Sequence, residues 1–197
     1  MISSNLPIIL ASKSPRRKKL LKQLGIKFKS IPTDVDEEVL DAEHPIQTVK
    51  RLAAHKMASA ELRNNKAILI SADTIVVLGN KIIGKPKNKL DAKRILKKLS
   101  DQTHKVYTGF MIKNSLTGKF ELDYEVTKVT FNKLSEKLID DYIKTGSPMD
   151  KAGAYGIQGM GAFLVDRIEG NLDNVIGLPT QLLEELAKKV NRMLELT

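Results

Sequence analysis

A chain of 197 residues with 42% apolar content can build one well-packed core or two small lobes closing on a cleft, and is too short for two large independent domains. It has no cysteine, which excludes disulfides, thiol catalysis and cysteine-held zinc; with three histidines, any metal must be held mainly by carboxylates, which favours Mg²⁺ or Mn²⁺. The formal charge of +10, from 33 Lys and Arg against 23 Asp and Glu, biases partners toward anions: nucleotides, nucleic acids or an acidic membrane surface.

Met1 to Ala11 lacks the basic region and the length of a secretory leader, and no stretch has the apolar length of a bilayer span, so a soluble, cytoplasmic protein is expected. Leu6 to Ala11 is a continuous apolar run that predicts a buried strand. A helix follows, with Ser14 suited to its N-cap, Pro15 to its first position, Leu20, Leu21 and Leu24 to its apolar stripe and Gly25 to its end. Ile26, Phe28 and Ser30 alternate with lysines as in a half-buried strand, before an acidic loop holding Asp34, Asp36, Glu37 and Glu38. From Pro45 to about Arg63 the spacing of Val49, Leu52, Ala53, Met57 and Ala60 is helical, and Lys56 shares that face.

Ala67 to Leu78 predicts a strand broken at Ser71 to Thr74, with Gly79-Asn80 turning it back through Lys81 to Ile83. A helix from about Leu90 to Leu99 precedes two strands, His104 to Lys113 and Phe120 to Phe131. Ser135 caps a helix ending near Gly146, and Ser147 to Gly161, with four glycines and little periodicity, predicts a long ordered loop or a binding loop rather than a linker. A strand from Ala162 to Ile168 and a helix from Pro179 end the chain. The interleaved elements argue α/β with a mixed sheet and flanking helices.

Three constellations could carry chemistry. Ser12-Lys13-Ser14-Pro15-Arg16-Arg17 lies between strand and helix, where free N–H groups and the positive end of the helix dipole meet hydroxyls and guanidiniums; it is either a phosphate-binding corner or a plain capped helix. Asp73 stands inside an apolar run, where an unpaired carboxylate is costly, so it either faces a metal, a cation or a cleft, or lies exposed at a bulge. Lys56, Lys85 and Lys151 each sit where the ammonium is restrained more than on an open surface, though such lysines are commonly snorkelling stems. A triphosphate carries about four negative charges near neutrality, and fixed cations with a metal answer it. Much of the positive excess, as in Lys18, Lys19, Lys22, Lys93, Lys97 and Lys98, reads as solvated helix surface, and without interleaved aromatics a nucleic-acid site is not expected.

Six stretches together resemble the Maf family of nucleotide pyrophosphatases: Leu10 to Arg17, Ser71 to Thr74, Gly84-Lys85-Pro86, Leu99-Ser100 with His104 to Gly109, Asp150 to Gly159, and Val175 to Pro179. The resemblance covers nearly the whole chain. It implies a single Maf-like domain over 1–197, an elongated mixed sheet with two lobes around a central cleft, similar to inosine triphosphatases, usually as a homodimer. It also implies a catalytic base at Asp73, a metal- or water-positioning acid at Asp36 with Glu37 beside it, and phosphate binding by Ser12, Arg16, Lys56 and Lys85. Ser14, Arg17 and Lys151 join the phosphate set from the residue reading alone.

Substrate choice in the family is associated with the positions of Arg16, Thr74 and Gln158. An amide at 158 offers both a donor and an acceptor, which complements the N3–H and carbonyl of uracil or thymine, whereas a carboxylate only accepts. A sister subgroup that acts on N7-methyl-GTP has Glu there and Gln at the place of Thr74. The chain therefore resembles the dTTP/UTP type, a house-cleaning enzyme needing a divalent cation. The rival expectation, from the basic charge and a family association with septum inhibition, is a division regulator or nucleic-acid-binding protein.

Overall fold

The computed structural model describes residues 6–40, 43–61 and 66–192. Strand β1 (Ile8–Ala11) is buried along its whole length. Helix α1 (Pro15–Gln23) begins as its sequence dictates: the Ser14 hydroxyl accepts the Arg17 N–H, Pro15 fills the first turn, and the chain leaves at Gly25 with φ +71°. Strand β2 (Phe28–Ile31) pairs parallel with β1, and helix α2 (Pro45–Glu61) follows; Arg63, the expected end of that helix, lies outside the described residues.

Strand β3 (Ile68–Leu78) runs unbroken through Ser71 to Thr74, where a break was expected. Its two buried polar residues, Ser71 and Asp73, are satisfied from α2 through the Ala53 carbonyl and Lys56, so the ladder gains nothing by opening. Gly79, at φ +58°, and Asn80 turn the chain into β4 (Lys81–Ile83), antiparallel to β3. Helix α3 (Lys89–Leu99) is capped by Asn88, and strands β5 (Thr103–Asn114) and β6 (Phe120–Phe131) come next. In β6 the buried residues are Thr127, Val129 and Phe131, every second position as a strand with one face on the core requires. Helix α4 (Glu136–Lys144) is capped by Ser135.

The glycine-rich segment after it is ordered as three short 3-10 helices, Ser147–Asp150, Ala152–Ala154 and Gly159–Leu164. The last of them takes up the first residues of the strand expected from Ala162, so β7 is only Val165–Glu169, antiparallel to β6. Helix α5 (Leu172–Ile176) was not anticipated; five residues are too few to show a helical period. Helix α6 (Thr180–Arg192) completes the described chain.

The sheet is mixed and seven-stranded, in the order β2-β1-β3-β5-β6-β7 with β4 on β3. The chain divides into two compact units, one of Met1–Asp73, Thr108–Glu125 and Gly177–Thr197, the other of Thr74–Tyr107 and Val126–Ile176. In the first, Ile9, Met57, Ala67, Leu69 and Met111 pack as one core cluster. In the second, Leu96, Leu99, Phe131, Tyr142 and Tyr155 lie in another. Among the described residues no helix is long and apolar enough to cross a membrane.

Candidate active site

In the first unit, β1 and β3 run parallel with Ala11 opposite Ser71. β1 ends there, so the Ser12 corner leaves the sheet level with Asp73, which lies within β3 two residues past that pair; ligands of open α/β sheets bind where the parallel strands end. Ser71 and Asp73, two apart, share one face of β3, and α2 lies against it. The Ser71 hydroxyl donates to the Ala53 carbonyl at 2.7 Å, and three residues on, the Lys56 ammonium donates to the Asp73 carboxylate. Gly109 of β5 allows this close approach: a Cβ there would lie 2.3 Å from the Val49 carbonyl oxygen. The backbone of α2 is thus seated on the sheet, and Lys56 has little choice of where to point.

Lys56 and Asp73 are both buried, at 7% and 6% exposure. The same ammonium donates to Glu37 Oε1 at 2.7 Å, so two carboxylates from distant segments meet at one cation. Asp36 is exposed, and its Oδ1 accepts the Glu38 N–H at 3.0 Å. Of the acidic loop, it is Glu37 that the fold brings to Lys56 and Asp73.

The corner is built around a buried arginine. Arg17 Nε donates to the Gly177 carbonyl at 2.7 Å and Nη1 to the Ser12 hydroxyl at 3.3 Å, while the Ser14 N–H donates to that hydroxyl at 3.2 Å. Burial pushes the Arg17 guanidinium below its ordinary value, opposed by the attraction of Asp73. Arg16 is half-buried on the first turn of α1, and the Ser30 hydroxyl donates to the Ser12 carbonyl at 2.8 Å. Arg17 is therefore the post that fixes the Ser12 hydroxyl and the helix start.

The second unit holds the remaining residues singled out above. Lys85 is exposed in the loop after β4, and Gly84 in that loop accepts the Gly153 N–H at 3.1 Å, which staples it to the segment carrying Lys151 and Gln158. Lys151 donates to the Asp150 carboxylate and the Ser147 carbonyl, with its stem against Gly156. Thr74 is half-buried and Gln158 exposed. His104 and Tyr155, both in stretches that carried the resemblance, are core residues: His104 Nε2 lies 2.8 Å from the Tyr155 hydroxyl, edge-on to Phe131. Burial pushes the His104 imidazole down to about 4.

The donor chemistry fits a hard divalent cation. Asp73 and Glu37 present carboxylate oxygens around a point where positive charge already sits, and Mg²⁺ in nucleotide sites is commonly held by one or two carboxylates with substrate phosphates completing the shell. Among the described residues no group of three or more His, Asp or Glu is placed to hold a metal ion. Sequence reasoning missed the roles of Arg17, Ser71 and Gly109 in aiming these groups; the partner of Gly109 is the α2 backbone at Val49 and Lys50, which no local pattern in β5 discloses.

Known proteins similar in sequence to this chain are enzymes by name. The chain is 47% identical to the dTTP/UTP pyrophosphatase of Clostridioides difficile over 92% of its length and 94% of that protein. It is equally close to the dTTP/UTP pyrophosphatase of Aquifex aeolicus, covering 93% of this chain and 95% of that one. Among solved structures, a HAM1 protein from Coxiella burnetii superimposes with a TM-score of 0.51 over 95% of this chain and 99% of that one, at 14% identity, and the Staphylococcus aureus Ham1 protein gives 0.50 over 93% and 90%, also at 14%; both speak to the fold alone. The family described as Maf-like protein matches residues 7–190, and the chain belongs to it.

Proposed function

We propose that the chain is a nucleoside triphosphate pyrophosphatase that cleaves dTTP and UTP to the monophosphate and pyrophosphate. The observation that carries this reading is the buried Asp73 carboxylate, pinned by Lys56 and emerging beside a phosphate-type corner. The names of the relatives at 47% identity support the substrate class.

In the mechanism we infer, Asp73 orients a water and takes its proton as the water oxygen bonds to the α-phosphorus and the bridging oxygen departs with pyrophosphate. Lys56 fixes the rotamer of Asp73, so the carboxylate is aimed before substrate arrives. The hydroxyls of Ser12 and Ser14, the N–H groups at the start of α1 and the Arg16 guanidinium bind phosphate oxygens, with Arg17 holding Ser12 in place. Lys85 adds charge toward the departing pyrophosphate, and Lys151 keeps its loop in shape. Asp73 with Glu37 or Asp36 would hold Mg²⁺ or Mn²⁺, which when bound supplies Lewis-acid stabilisation of the phosphoryl oxygens. Gln158, Thr74 and Arg16 select the base, the amide of Gln158 pairing with the pyrimidine edge. We take the working form to be a cytoplasmic homodimer, which sedimentation equilibrium checks.

Asp73→Asn removes the proton acceptor while keeping shape and one hydrogen-bond acceptor. Turnover of dTTP is expected to fall by about a thousandfold or more, with nucleotide affinity nearly kept. Pyrophosphate release at the wild-type rate from this variant would overturn the role of Asp73.

A further inference from the structure

We propose that the Tyr142 hydroxyl is a positioning residue for substrate selection: it holds the loop that presents Gln158. This rests on the reading of Gln158 as the residue that meets the base. Helix α4 buries the Tyr142 ring in the second unit's core, at 1% exposure, and its hydroxyl accepts the Gly156 N–H at 3.0 Å. Gly161, where the loop returns, comes to the same point. A Cβ on Gly161 would lie 1.7 Å from the Gly156 carbonyl oxygen and 3.3 Å from the Tyr142 hydroxyl oxygen.

The loop is therefore pinched shut between two glycines, with the tyrosine hydroxyl against the closure. Ile157, Gln158, Gly159 and Met160 form its crest, and Gly159 at φ +61° turns the crest back. Gln158 is exposed there, two residues from the pinned amide. On the other side of the pin, Tyr155 is sunk in the core with its hydroxyl on His104, so the segment leading in is fixed as well. An amide that distinguishes bases must be held to within about half an ångström of its productive position, so the foot of a crest this short must itself be fixed to the core. The hydroxyl of Tyr142, a core residue of a helix, supplies that attachment.

The test is Tyr142→Phe in the full chain, which removes one oxygen and leaves the ring in its packing. The ratio of kcat/KM for dTTP to that for dATP is expected to fall about tenfold, through KM for dTTP, with kcat for dTTP kept within about twofold. In a Gln158→Ala background the same change should have no further effect on the ratio, since Tyr142 acts through Gln158. Faster deuterium uptake across Gly156 to Met160 is expected in Tyr142→Phe without any substrate. Gly161→Ala, which must force the closure open, should lower the ratio in the same way. An unchanged ratio in Tyr142→Phe, an equal loss for both nucleotides, an undiminished effect in the Gln158→Ala background, or unchanged exchange would each overturn the positioning role. A wild-type protein with no preference for dTTP would instead overturn the substrate reading, and the exchange measurement would still decide whether Tyr142 holds the loop.

Discussion

Replacing Lys56 with Met keeps the apolar stem and removes the ammonium, leaving a carboxylate whose side chain is 9% exposed without its hydrogen-bonded cation, though still attracted by the Arg17 guanidinium. Removing one partner of a buried pair costs about 3–5 kcal/mol, mostly as the penalty of the charge left behind. The contact with Glu37 adds little, because that side chain is 39% exposed and an exposed pair contributes at most about 1 kcal/mol. For a chain of this size each kcal/mol moves the melting temperature by about 2–4 °C, so Lys56→Met should melt about 6–20 °C below wild type. Adding Asp73→Leu removes the stranded charge, and the double variant should recover most of that loss while remaining inactive. Thermal unfolding followed by circular dichroism, with pyrophosphate release measured on the same samples, makes the comparison. If Lys56→Met melts like wild type, or the double variant melts no higher than the single one, Lys56 does not stabilise a buried charge.

Two further outcomes follow from the packing and the buried histidine. His104 is neutral in the fold, with its value pushed down to about 4 by burial, while the unfolded chain protonates near 6.5. Stability should be full above about pH 6.5 and decline as the pH falls toward about 4, because only the unfolded state takes the proton in that window; the total is about 3 kcal/mol. Urea titrations at pH 7, 5.5 and 4 should show this decline in wild type and a flatter profile in His104→Gln; an identical slope in both would contradict it. Gly109→Ala places a methyl 2.3 Å from the Val49 carbonyl, a backbone atom that cannot turn aside. Moving α2 off β5 should cost about 1–3 kcal/mol and lower kcat for dTTP more than tenfold by displacing Lys56, measurable by melting and steady-state kinetics.

The parts of the fold legible in sequence are those set by local chemistry. Ser14, Pro15 and Gly25 mark the ends of α1 because caps and left-handed turns are chosen residue by residue. Asp73 stands out because a carboxylate in an apolar strand demands a partner, and Lys56 because a cation on an apolar helix face demands one too. The expectation of a break in β3 failed because the chain displays its polar residues without their partners; Ser71 and Asp73 find theirs on α2, eighteen and seventeen residues earlier.

Choosing between Asp36 and Glu37 was beyond pattern reading, since neighbours in an irregular loop carry no period. Only the fold turns one carboxylate to Lys56 and the other to a backbone amide. The task of Arg17 was hidden for a different reason: its acceptor, the Gly177 carbonyl, lies 160 residues away. Tyr142 reads as one more apolar position on an amphipathic helix, and nothing in its spacing discloses that the hydroxyl ends on a glycine amide in a loop.

The central claim is that a pyrimidine triphosphate is opened at its α-phosphorus. Incubating the wild-type chain with dTTP, UTP, dCTP, dATP and dGTP in turn, with Mg²⁺, and separating the products by anion exchange tests it directly. Cleavage at the α-phosphorus yields dTMP or UMP with one equivalent of pyrophosphate, with dTTP and UTP consumed ahead of the purine nucleotides. A nucleoside diphosphate with orthophosphate, or purines consumed first, would contradict it.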